Sequence, residues 1–173
     1  MGLQTEDMPA LCATWTDRQA TYTPDGLPVI WDRALLPIPY MLQLDDGQKP
    51  YVSAIHDAAV MWNREVGFPV LREVGDVTQA RVFIVSGSCT DAGVAVTTHS
   101  GDVVPESATV ELRAVGNVSE CYAAICHEFG HVLGLAEGDS GCMGPLPEDF
   151  DASKQWCLPR DREVEYLRAI YKR

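Results

Sequence analysis

The chain has 173 residues, of which 46% are hydrophobic and 22% charged, and its formal net charge is −12. This length suits one ordinary domain, and the composition is typical of a globular protein with a real core. The excess of acidic residues argues against a nucleic-acid partner, because phosphates select Lys and Arg. No apolar run approaches the ~20 residues that span a bilayer, so no membrane partner is expected.

Residues 1–30 are predicted to be an irregular segment, and residues 31–173 a single domain. The start of the chain has neither the basic residues nor the apolar run of a signal peptide. An even number of cysteines in a small protein favours an oxidising compartment. A secreted or extracytoplasmic protein is therefore expected, with its signal absent from this chain, and a cytoplasmic protein with buried thiols is the alternative. The six cysteines are Cys12, Cys89, Cys121, Cys126, Cys142 and Cys157.

The first regular elements are a strand near Ile38–Leu44 and a helix over residues 50–66. The apolar residues of the helix recur at steps of three and four, which gives it one apolar face. Gly67 is expected to end it. The residues of this face are Val52, Ile55, Ala59, Trp62 and Val66.

Three strands are predicted next, at residues 68–74, 81–85 and 107–115. The second is apolar on both faces, which favours a central position in a sheet. The third alternates between apolar and polar residues, which predicts a half-exposed strand at a sheet edge. Residues 86–105 read as a loop, interrupted by a short apolar stretch at 94–96.

A helix is predicted over residues 119–133, with Ser119 as its N-cap and Gly134 as its end. A last helix is predicted over residues 159–171. Strands and helices in this order indicate a single α+β or mixed α/β domain.

The predicted helix 119–133 carries His127, Glu128 and His131. Four residues are about one helical turn, so both imidazoles project from one face and can bind the same zinc ion. Glu128 lies about 100° around the helix, where it can reach a metal-bound water as a base rather than serve as a ligand. Chance occurrence is the alternative. The capped helix, its end at Gly134 and the acidic residues that follow favour a catalytic zinc.

The segment His127–Glu137 resembles the metzincin signature H-E-x-x-H-x-x-G-x-x-H, with Glu137 in place of the last His. Cys142-Met143-Gly144-Pro145 is similar to the methionine turn of that clan. The match is best to the matrixin-like branch, and the resemblance spans Trp31–Tyr171. It implies a twisted mixed sheet with an antiparallel edge strand, a backing helix, an active-site helix and a C-terminal helix.

The resemblance also implies the roles of further residues. Met143 is expected to form an apolar base beneath the metal. An extended substrate is expected to lie antiparallel to the edge strand and to reach the segment after Met143. The substrate-binding residues implied are Thr109, Val110, Glu111, Gly144 and Pro145.

The third zinc ligand departs from the family, which has His there and in a few members Asp. Glu137 occupies the family's position, three residues after Gly134, and is expected to bind zinc. Asp139, two residues later, is the alternative.

The resemblance also raises a second metal site, since matrixins often carry structural zinc or calcium in this region, but an ordinary loop without a metal is the favoured interpretation. His99, Asp102 and Asp91 are the residues available for it. His56, on the first helix, is interpreted as a surface or satisfied histidine rather than a ligand.

The cysteines are expected to stabilise the fold. Cys126 should point away from the zinc face, Cys142 and Cys157 should form a disulfide across a short loop, and Cys89 and Cys121 are a second candidate pair. No C-x-x-C pair is present, so a structural zinc held by cysteines is not expected.

The sequence thus predicts a monomeric zinc endopeptidase that hydrolyses extended polypeptides. Zinc would polarise the scissile carbonyl, and Glu128 would take the proton of the attacking water and return it to the leaving amine. The alternative is a weakly active or inactive peptide-binding module of the same fold.

Overall fold

Four parallel strands and one antiparallel strand form the sheet of this mixed α/β protein, which also has three helices. The computed structural model describes residues 29–87, 95–100, 104–112, 118–138, 141–144 and 157–172, with the backbone alone for 95–100. Within these residues, no helix has the length and apolar character needed to cross a membrane. In chain order the elements are β1 (Ile38–Gln43), α1 (Val52–Val66), β2 (Leu71–Glu73), β3 (Val82–Ser86), β4 (Ala95–Ser100), β5 (Ser107–Leu112), α2 (Val118–Val132) and α3 (Asp161–Tyr171).

The strands follow the order β2-β1-β3-β5-β4 across the sheet. β2, β1, β3 and β5 run parallel, and β4 pairs antiparallel with β5. The central position predicted for β3 is confirmed, and its residues Val82 and Ile84 are fully buried. Such burial is typical of a parallel strand that has neighbours on both sides.

The edge position predicted for residues 107–115 is wrong. β5 lies between β3 and β4 and is hydrogen-bonded on both sides. Its alternating burial is as predicted, with Ala108, Val110 and Leu112 inside. Alternation reports which face of a strand is buried, and it carries no information on whether a further strand pairs alongside. That strand is β4, which the sequence had indicated only as a short apolar stretch in a loop.

Helix α1 buries the apolar face that its periodicity predicted and packs against α2. Gly67 ends it in the left-handed conformation, with a φ of 90°. Trp62 is fully buried, and its indole Nε1 donates to the carbonyl of Cys126 at 2.8 Å. The helix that carries the paired histidines is therefore held to α1 by a directed bond as well as by apolar contact.

The carboxyl end of α2 is held by side chains from distant parts of the chain. Trp31 Nε1 donates to the carbonyl of Val132 at 2.6 Å, and the hydroxyl of Tyr171 donates to the carbonyl of Leu133 at 2.9 Å. These bonds satisfy carbonyls that lack a partner within the helix. At the other end, α2 begins at Val118, so the N-cap predicted at Ser119 is wrong.

Asn63 joins the end of α1 to the start of β2, and its loss should destabilise the fold. Its Oδ1 accepts from the amides of Val70 and Leu71 at 2.8 and 2.9 Å, and its Nδ2 donates to the carbonyl of Leu71 at 2.9 Å. We expect Asn63→Ala to lower the free energy of unfolding in urea by roughly 1.5–4.5 kcal/mol, at about 0.5–1.5 kcal/mol for each of the three bonds. Val60→Ala, at an exposed position of the same helix, should change it by less than about 0.5 kcal/mol. Equal effects of the two variants would contradict this role.

Candidate metal centre

His127 and His131 project from the last two turns of α2 toward one point. Their Nε2 atoms are 3.0 Å apart, and their rings are nearly perpendicular, with an interplanar angle of 85°. Both side chains are largely buried but keep some contact with solvent. The four-residue spacing therefore places both imidazoles where the sequence predicted, at a position that a small ligand can reach.

Glu137 returns to the two histidines through a sharp reversal of the chain. Gly134 has a φ of 103°, and an added Cβ there would lie 2.2 Å from the carbonyl oxygen of Val29. Only glycine adopts such a conformation readily. Three residues later, Glu137 Oε1 lies 3.3 Å from His127 Nε2 and 3.0 Å from His131 Nε2.

Backbone carbonyls fix the orientation of both rings. Nδ1 of His127 lies 3.0 Å from the carbonyl oxygen of Cys142, and Nδ1 of His131 lies 2.8 Å from that of Leu135. Because a carbonyl only accepts, each Nδ1 must carry a proton and donate it. In the neutral form of each ring, Nε2 then presents its lone pair to the shared point, as histidine ligands of metals commonly do.

The three converging atoms have the spacing that zinc requires. Nitrogen and oxygen ligands at about 2.0–2.1 Å from a tetrahedral zinc stand roughly 3.3–3.4 Å apart. The three observed separations are 3.0, 3.0 and 3.3 Å. Among the described residues, His127, His131 and Glu137 are the group at this point that could hold a metal ion. The residues present therefore fit the ion and leave a fourth position for another ligand.

The local electrostatics favour a positive charge between these side chains. Burial lowers the pKa of His127, but the hydrogen bond with Glu137 and the charges of Glu128 and Glu137 outweigh it and raise that pKa from 6.5 to about 9. Burial raises the pKa of Glu137, but the hydrogen bonds and charges of His127 and His131 lower it from 4.5 to about 2. The carboxylate is thus ionised at neutral pH, and either a proton or a metal ion can balance its charge.

Glu128 is buried beside the metal-ligand group without belonging to it. Its side chain is 6% exposed, and its charge contributes to the raised pKa of His127. Its carboxylate is therefore close enough to act on His127 electrostatically. A carboxylate beside the ligand group but outside it suits a base rather than a ligand.

Met143 packs directly beneath α2. A Cβ added to Gly130 would lie 2.1 Å from Met143 Sδ, so the absence of a side chain on Gly130 admits the thioether. The carbonyl of Met143 accepts from the amide of Gly138 at 2.7 Å, next to Glu137. Met143 is fully buried, and it lies against α2 at Gly130, the residue before His131.

The predicted substrate-binding residues lie in two places. Thr109, Val110 and Glu111 are in β5. The prediction that a substrate strand pairs with them is wrong, because β3 and β4 already pair with both sides of β5. Gly144 follows Met143, and its amide donates to the carbonyl of Gly141 at 3.1 Å.

Several predicted site residues fall outside what the structure describes. Asp139, the alternative third ligand, and Pro145 are two of them. The same holds for Asp91 and Asp102, and His99 lies in β4, where only the backbone is described. The second metal site therefore stays a prediction.

His56 pairs with the carboxylate of Glu73 and is partly exposed. It is thus a histidine with a partner at the edge of the surface, in agreement with the interpretation from the sequence.

The four described cysteines are buried free thiols, and the predicted disulfides are not formed. Cys142 and Cys157 are unbonded, and Cys121 is free, so the Cys89–Cys121 pair is also absent. The sulfur atoms of Cys126, Cys142 and Cys157 instead lie within 4.8 Å of one another. Spacing along the chain gives the length of a loop but not the partner of a sulfur atom, which is why the sequence missed this cluster.

Comparison of the sequence with models of known protein families and with curated proteins finds no match.

The reversal at Gly134 should be essential to the metal centre. We expect Gly134→Ala to lower the free energy of unfolding by at least ~1–3 kcal/mol because of backbone strain, and to weaken zinc binding about tenfold or more because Glu137 moves. Gly75→Ala, where an added Cβ meets nothing within 4 Å, should leave both quantities unchanged. Chemical denaturation and zinc titration against a competing chelator measure the two effects. Wild-type zinc affinity in Gly134→Ala would contradict the role of this turn.

Proposed function

We propose that this protein is a zinc-dependent endopeptidase in which His127, His131 and Glu137 hold the metal and Glu128 is the catalytic base. The observation that carries the proposal is the convergence of two Nε2 atoms and one carboxylate oxygen within 3.3 Å of one another. Both Nδ1 atoms are already committed to backbone carbonyls. The donor set is thus preorganised to receive a cation.

The donor types favour zinc over the other common metal ions. Calcium and magnesium prefer oxygen ligands, whereas this set contains two imidazole nitrogens. Two histidines and one carboxylate with a fourth position open are typical of catalytic zinc, since structural zinc sites are closed by four protein ligands.

The chemistry at this centre is hydrolysis. When bound, zinc supplies Lewis acidity that polarises a carbonyl and lowers the pKa of a water molecule to about 7. Glu128 then takes a proton from the attacking water and passes it to the departing amine. The carbonyls of Cys142 and Leu135 keep the imidazoles of His127 and His131 in one orientation while this happens.

The sheet suggests how an extended polypeptide could be held. Among the described strands, β4 is last in the sheet, and it lies against α2. A strand with a partner on one side only can pair with an added chain through main-chain hydrogen bonds. The substrate path expected along residues 107–115 is therefore proposed for β4 instead.

The alternative function is a protein of the same fold that binds peptides without cleaving them. The buried carboxylate of Glu128 beside His127 favours hydrolysis, because a module that only binds peptides has no use for a base there.

Replacement of Glu128 should separate metal binding from catalysis. We expect Glu128→Gln to retain zinc at the histidine site and to cleave a reduced and alkylated protein about 10²–10⁴-fold more slowly, because the base is lost and no ligand is. Glu165→Gln, at an exposed position of α3, is the matched control and should cleave at the wild-type rate. Metal analysis and initial rates give both readouts. Undiminished cleavage by Glu128→Gln would place the base elsewhere, and zinc-loaded wild-type protein without any cleavage would favour the binding module.

The third ligand is tested by two single variants. Glu137→Ala should lose zinc at concentrations where Asp139→Ala retains it, because the Glu137 carboxylate faces both Nε2 atoms. Competition with a chelator of known affinity ranks the two proteins. The reverse order would transfer the role to Asp139, and loss in neither would show that another group completes the site.

A further inference from the structure

Three buried cysteines meet beside α2, next to the histidine site but separate from its ligands. Cys126 belongs to α2, Cys142 to the short helical turn Gly141–Met143, and Cys157 to the chain before α3. All three side chains are buried, and their sulfur atoms lie within 4.8 Å of one another. Three distant parts of the chain therefore contribute one thiol each to a single point.

Backbone hydrogen bonds hold this arrangement without any bond between sulfur atoms. The amide of Cys142 donates to the carbonyl of Leu158 at 3.1 Å, which places Cys142 beside the segment of Cys157. The thiol of Cys157 donates to the carbonyl of Ala123 in α2 at 3.6 Å. The carbonyl of Cys126 accepts from the indole of Trp62. The cluster is thus preformed by the fold.

We propose that Cys126, Cys142 and Cys157 bind a second zinc ion as thiolates and so join α2, the methionine turn and the start of α3. Zinc–sulfur bonds of about 2.3 Å place the sulfur atoms of a tetrahedral site roughly 3.8 Å apart, which the observed cluster allows. A disulfide would use two of the sulfurs and leave the third unused. One metal ion uses all three. The expectation that cysteines hold no zinc here rested on the lack of a C-x-x-C pair, but ligands that come from separate elements need no such pair.

Burial alone does not explain the cluster. Cys121 is also fully buried in α2 and is also a free thiol. It is nevertheless not a member of the group. Sulfur donors select zinc over calcium or magnesium, so the ion is assigned by the ligand type as well as by the spacing.

The fourth position has a candidate ligand in the same helix. The side chain of Tyr122 hydrogen-bonds with Cys126. Its hydroxyl therefore lies beside one of the three sulfurs and can offer an oxygen to the metal. Three sulfurs and one internal oxygen would make a closed site, as structural zinc requires.

A metal at this point would also steady the histidine site. The carbonyl of Cys142 is the acceptor for His127 Nδ1, and Cys126 directly precedes His127. Fixing both cysteines fixes the carbonyl that orients the imidazole.

The test is cobalt(II) binding to the full-length protein after metal removal and reduction. Thiolate ligands give cobalt an intense near-ultraviolet charge-transfer absorption, which a site of histidine and glutamate does not produce. We expect this absorption in the wild type and also in the double variant His127→Ala/His131→Ala, so that failure of the proposed catalytic site does not remove the readout. Cys157→Ser should lower the absorption by about a third or more, because one of three thiolates is lost, and Cys121→Ser, the matched buried cysteine, should retain it in full.

A second measurement guards against a Cys157→Ser variant that fails to fold. X-ray absorption at the zinc edge of the double histidine variant should show a shell of about three sulfur atoms at ~2.3 Å. A shell of nitrogen and oxygen alone would overturn the proposal. The proposal would also be overturned if reduced wild-type protein lacked the near-ultraviolet band, or if folded Cys157→Ser kept the band at undiminished intensity. A Cys142–Cys157 disulfide that survives in the native, zinc-loaded protein would equally overturn it.

Discussion

Gly134 lets the chain reverse immediately after α2, and the candidate metal centre depends on that reversal. With a φ of 103° and the carbonyl of Val29 where a side chain would stand, the position is closed to other residues. The same turn brings the carbonyl of Leu135 to Nδ1 of His131 and the carboxylate of Glu137 to both Nε2 atoms. Because Gly134 has no side chain, the chain can turn so that Glu137 faces the histidines and the Nδ1 of His131 carries the proton.

The charges of the site follow from this convergence. Two nitrogen lone pairs and an ionised carboxylate at 3.0–3.3 Å repel one another unless a cation lies between them. The raised pKa of His127 and the lowered pKa of Glu137 are two consequences of that requirement. Burial of these side chains makes the requirement stronger than it would be in water, because the surrounding medium screens less.

The turn at Gly141–Met143 links the parts of the site that α2 does not supply. Cys142 contributes a carbonyl to His127 and a sulfur to the cysteine cluster. Met143 fills the space left by Gly130 and bonds through its carbonyl to Gly138, beside Glu137. A shift of this turn would therefore displace the groups around His127, Glu137 and the cysteine cluster together.

The sequence by itself determined the elements whose signals are local: the strands β1 and β3, the helix with His127 and His131 on one face, and its end at Gly134. A repeat of two or 3.6 residues is set by the residue's own backbone geometry, so it can be read without knowing the partner. Only the tertiary structure decided that β4 is the last strand, that β5 is interior, and that three cysteines meet without a disulfide. Each of these depends on which distant segment lies alongside, and packing between segments, not local periodicity, determines that neighbour.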